Sequence, residues 1–85
     1  LKVRLTAKGR GAVLWRNSVW RNSDPDERDI MTYVALNDSE FSEGSDFPSL
    51  KNVDVMEMCY DLKLVNCEDL IQRLIARKIL KVVGG

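Results

Sequence analysis

Apolar and polar residues alternate at period two over Lys2-Val3-Arg4-Leu5-Thr6-Ala7, which predicts a short strand. Lys8-Gly9-Arg10-Gly11 then reads as a turn, and the apolar run Ala12-Val13-Leu14-Trp15 resumes after it. A β-hairpin is expected here, with Gly9 or Gly11 supplying positive φ. The Gly-Arg-Gly is too short for a phosphate-cradling loop and lacks the Lys-Ser or Lys-Thr that would follow one. A short repeat comes next, Trp15-Arg16-Asn17-Ser18 and Trp20-Arg21-Asn22-Ser23.

The period lengthens at Asp24-Pro25-Asp26-Glu27. Asp24 suits a helix cap, Pro25 the first turn, and Glu27 the position that reaches back in a capping box. A helix over about 25–36 follows, with Ile30, Tyr33 and Val34 on its buried face and Met31 and Leu36 flanking it. The carboxylates at its start complement the helix dipole and do not make a catalytic cluster. Residues 37–49 read as an acidic loop whose Phe41 and Phe47 anchor it to the core by default, or else dock into a partner. Counted from Asp38, Gly44 falls seventh, not sixth as a calcium loop requires.

Val53 to Leu64 predicts a second helix carrying Asp54, Glu57 and Asp61 as one acidic stripe, a candidate docking face for a basic partner. A third helix is expected over 66–78, capped by Asn66 and stapled by Val65 against Leu70. Glu68 and Asp69 open it, while Arg73, Arg77 and Lys78 close it, matching the dipole at both ends. Leu70, Ile71, Leu74 and Ile75 form its buried face, and Gln72, Arg73 and Arg77 point outward. Ile79-Leu80-Lys81-Val82-Val83 predicts a strand ended by Gly84-Gly85.

At 85 residues these elements must share one core. The expected architecture is a single α+β domain over 1–85: a basic N-terminal hairpin in 1–22, three helices in 24–78 and a C-terminal strand in 79–83. No apolar run approaches the roughly 18 residues of a membrane span, so no membrane partner is expected. Cys59 and Cys67 are too few for a disulfide scaffold and read as small core hydrophobes, which leans towards an intracellular protein. The chain has no histidine, and neither a metal site nor a cofactor is expected. It also offers no nucleophile beside a base, so no enzyme is expected.

The net charge of zero conceals segregation. Residues 1–22 hold six bases and no acid, residues 23–62 hold eleven acids against Arg28 and Lys51, and residues 63–85 hold five bases against Glu68 and Asp69. Lys2, Arg4, Lys8, Arg10, Arg16 and Arg21 therefore form a candidate binding surface. Trp15 and Trp20 are interleaved with these bases and would stack on nucleobases if exposed, or fill the core if not.

The run Cys67-Glu68-Asp69-Leu70-Ile71-Gln72-Arg73-Leu74-Ile75-Ala76-Arg77-Lys78-Ile79-Leu80-Lys81-Val82-Val83 resembles a recognition helix leading into the first wing strand of a winged helix-turn-helix domain. With the helix at 25–36 as the first of three, the resemblance spans residues 24–83 and implies a winged-helix-like fold. No return strand follows Val83, so the N-terminal strands would have to pair with residues 79–83. Glu68 and Asp69 lie where such a helix would meet phosphates, which disfavours DNA. The leading expectation is thus a non-enzymatic protein-interaction module, with a DNA- or RNA-binding module second. A third reading is a ubiquitin-like modifier, which the terminal Gly84-Gly85 after a final strand resembles.

Overall fold

The computed structural model describes residues 1–37 and 52–83. Its elements are β1 (Lys2–Leu5), α1 (Ala7–Trp15), α2 (Ser18–Arg21), α3 (Pro25–Leu36), β2 (Val53–Asp54), α4 (Val55–Leu62), α5 (Cys67–Ala76) and β3 (Leu80–Val83). The acidic loop with Phe41, Phe47 and Gly44, and the terminal Gly84-Gly85, lie outside the described residues.

The period-two strand forms as predicted but does not pair with residues 12–15. It is the central strand of an antiparallel sheet ordered β2-β1-β3. Lys2 faces Val83, Val3 faces Val82, Arg4 faces Lys81 and Leu5 faces Leu80, while Lys2 and Val3 also face Asp54 and Val53 on the other side. Val3 and Leu5 are buried on one face, as alternation requires. They meet Ile30, Met31 and Val34 of α3, Met58 of α4, Ile71 and Leu74 of α5, and Ile79 and Leu80 in one core.

The expected N-terminal hairpin is corrected: Ala7–Trp15 is a helix. Thr6 caps it by accepting from the Gly9 amide at 3.1 Å, and the side it buries carries only Gly9 and Ala12. Gly9 is not a positive-φ turn residue. A Cβ there would stand 2.3 Å from the Ile79 carbonyl oxygen and 2.9 Å from Leu5 Cδ2, so glycine lets α1 lie directly on the backbone before β3. A face of Gly and Ala is nearly invisible to a hydrophobic pattern. The Trp-Arg-Asn-Ser repeat has no common role either: Asn17 caps the start of α2 through Val19 N at 3.1 Å, whereas Asn22 is the residue that ends it.

Helix α3 spans 25–36 as predicted, and its capping box is carried by Glu27, whose Oε1 accepts from Asp24 N at 3.1 Å. The return contact from the Asp24 side chain is too loose to count as a hydrogen bond. On α3, Ala35 joins the buried face, Tyr33 is half-buried, and Leu36 is exposed. The second helix begins later than expected, because Val53 and Asp54 pair with β1 before the chain turns helical. Asp54 then caps α4, accepting from Met56 N at 3.2 Å.

Asn66 occupies the cap position of α5 without a side-chain hydrogen bond. Val65 is fully exposed, so the expected staple with Leu70 does not form. The buried face of α5 is Leu70, Ile71 and Leu74, with Ile75 half-buried. Cys59 and Cys67 are corrected as well: they form a disulfide with Cα atoms 5.7 Å apart. Lys63, at φ 56°, reverses the chain tightly enough to bring the end of α4 onto the first residue of α5. An intracellular location no longer follows from the cysteines. No helix among the described residues is long and apolar enough to cross a membrane.

Candidate binding surfaces

The basic residues of the N-terminal third do not form one patch, because folding uses several of them. Arg4 Nε donates to Asn52 Oδ1 at 2.6 Å. Lys8 Nζ donates to the Arg77 carbonyl at 2.9 Å, satisfying an orphan acceptor at the end of α5. The Arg16 guanidinium lies 5.2 Å from the centre of the Trp20 ring, and that of Arg28 lies 5.8 Å from it. Arg28 also donates from Nε to the Trp20 carbonyl at 2.9 Å and from Nη2 to the Arg21 carbonyl at 2.8 Å. Trp20 is thus half-buried and held by two cations. Trp15, by contrast, is 80% exposed. Lys2 and Arg21 are exposed, and Arg10 is half-buried.

The outward residues of α5 also divide. Arg77 Nη1 reaches the buried Glu27 Oε2 at 3.1 Å, so one carboxylate joins the start of α3 to the end of α5. Arg73 stands 3.9 Å from Asp24 in an exposed pair, and Gln72 is exposed. Glu27 was legible as a helix-start acid but not as this junction, since residue 77 is fifty positions away.

The acidic stripe is dispersed. Asp54 caps α4, Glu57 is exposed, and Asp61 Oδ2 accepts from the Tyr33 hydroxyl at 2.6 Å. That hydrogen bond, helped by desolvation and by the charges of Asp61 and Glu57, pushes the Tyr33 phenol up to about 12. The pair latches α3 to α4 and keeps the phenol protonated, so it offers no nucleophile at neutral pH.

A cleft that the hydrophobic pattern did not single out opens at the α4–α5 turn. It measures about 400 Å³, is lined by Val55, Met56, Cys59, Val65, Glu68 and Asp69 among others, and continues into a second depression of about 400 Å³ beside Ile71 and Gln72. Met56 is 78% exposed, and Tyr60 on the same helix is 83% exposed. Glu68 and Asp69 are exposed in the first turn of α5. Such a surface binds by burying apolar area and orients its ligand by charge. The only advance signal was that this helix is apolar around most of its circumference.

Among the described residues no cluster of three or more His, Cys, Asp or Glu is placed to hold a metal ion. No known protein family, curated protein or solved structure matches the chain. The functional reading therefore rests on the geometry.

Proposed function

We propose that the chain is a non-enzymatic binding module of winged-helix type that contacts another protein through the α4–α5 cleft. The succession α3, β2, α4, α5, β3 supports the winged-helix reading. So does β1, which lies antiparallel to β3 where the return strand of a wing belongs. The choice of protein rests on one observation: the exposed Met56 and Val65 surround a cleft whose charged members are Glu68 and Asp69. Those acids repel phosphate at the end of the helix that would have to approach DNA, and they attract Lys or Arg.

The test is a pair of titrations. A labelled random-sequence DNA duplex at low salt is expected to show no saturable binding. A short peptide bearing Leu and Lys is expected to shift the amide resonances of residues 55–72. Duplex binding that falls steeply with salt, without peptide shifts in that region, overturns the reading.

Trp15 favours a second reading, a nucleic-acid contact, because an exposed indole beside Arg16 suits base stacking. Single-stranded oligonucleotide quenching Trp15 fluorescence, lost in Trp15→Phe, would support it. The ubiquitin-like reading draws least support, since residues 67–76 are helical where that fold places short strands.

A further inference from the structure

The cleft has a complement on the same molecule. At the carboxyl end of α1, Leu14 and Trp15 are exposed and run into Arg16, within a stretch whose charged residues are all basic. The cleft offers the reciprocal set, apolar Met56 and Val65 beside acidic Glu68 and Asp69. None of the residues lining it comes from α1. Trp15 is 80% exposed while the cleft stands open, so the two surfaces do not meet within one copy.

We propose that the cleft receives the Leu14–Arg16 edge of a second copy of this chain. The Trp15 indole enters between Met56 and Val65, and the Arg16 guanidinium exchanges its contact with the Trp20 ring for Glu68 or Asp69. A buried tryptophan removes about 150–250 Å² from water and, with arginine, is among the side chains that most often anchor interfaces. The two surfaces differ, so the contact is head-to-tail and extends beyond a dimer unless rotation closes it into a ring. The proposal rests on the cleft being a protein-binding surface.

Sedimentation velocity over about 10 μM to 1 mM, the range of weak association, tests it with three samples. The mass-average of the unmodified chain is expected to rise with concentration. Trp15→Asp and Met56→Lys are each expected to stay monomeric, with thermal melts like that of the parent because both side chains are exposed. Mixed in equal amounts they are expected to form a one-to-one dimer and nothing larger, since each retains the surface the other lacks. A chain that stays monomeric throughout, a single variant that still associates, or a mixture that forms no dimer overturns the proposal. None of these results touches the wider reading of the cleft, which the duplex and peptide titrations decide separately.

Discussion

The two ends of α5 are held in opposite ways. At its C-terminal end the Arg77 carbonyl accepts from Lys8 Nζ, the Lys78 carbonyl accepts from the Thr6 hydroxyl, and the Ile79 carbonyl accepts from the Thr6 amide at 3.0 Å. Gly9 packs against that same carbonyl. Arg77 joins Glu27, which in turn closes the start of α3. Three separate stretches of chain converge there, and the polar groups named pair with one another within the molecule. At the N-terminal end the cap side chain makes no hydrogen bond and Val65 is fully exposed, while one covalent link, Cys59–Cys67, fixes the turn. A disulfide constrains the backbone without covering it. The constrained end therefore keeps its apolar and acidic side chains available to a partner, and the hydrogen-bonded end does not.

The largest test of this contrast lies between the two ends. Leu74 is fully buried on the core face of α5, and Leu74→Ala should lower stability by about 2 to 5 kcal/mol in denaturant unfolding. An unchanged midpoint would mean that α5 is not the core helix. At the closed end, Glu27→Ala removes the cap to Asp24 and leaves the Arg77 guanidinium without its carboxylate. Arg77 keeps partial access to water, which moderates the loss to about 2 to 3 kcal/mol. Asp24→Ala should cost less than Glu27→Ala, about 1 kcal/mol or below, because the cap is carried from the Glu27 side. Equal losses for the two variants would erase that distinction.

At the open end, reducing Cys59–Cys67 or replacing both by serine should cost about 2 kcal/mol, as expected for so short a covalent loop. Amide exchange should then quicken over residues 63–69 and stay slow near residue 78; uniform acceleration would show that the ends are not independent. The smallest effect concerns the Tyr33–Asp61 latch. The phenol is raised from 10.0 to about 12 in the folded chain, so its contribution is fully present below pH 10 and fades as pH climbs towards 12. Spectrophotometric titration should show a phenolate step near pH 12 that Tyr33→Phe removes. A step near pH 10 in its place would mean that the hydrogen bond to Asp61 is absent in solution.

Sequence alone determined the elements whose signal is local and strongly periodic. Strand β1 followed from alternation at 2–5, helix α3 from Asp24-Pro25-Asp26-Glu27 ahead of Ile30 and Val34, and α5 from Leu70, Ile71 and Leu74. In each the residues that set the backbone are neighbours in the chain or lie one turn apart. Tertiary structure decided what depends on residues far apart in sequence. The strand pairs β1–β3 and β1–β2 join residues that no turn connects, so the expected hairpin partner in 12–15 was free to become a helix. That helix is specified by the contact of Gly9 with Ile79, seventy residues away. The Cys59–Cys67 bond needs the left-handed Lys63, and the Glu27–Arg77 pair needs α3 laid beside α5. The cleft belongs to the same class: Met56, Val65, Glu68 and Asp69 are unremarkable in the chain. They become a surface only when the disulfide-bonded turn sets the start of α4 against the start of α5, because burial and charge complementarity are properties of neighbours in space.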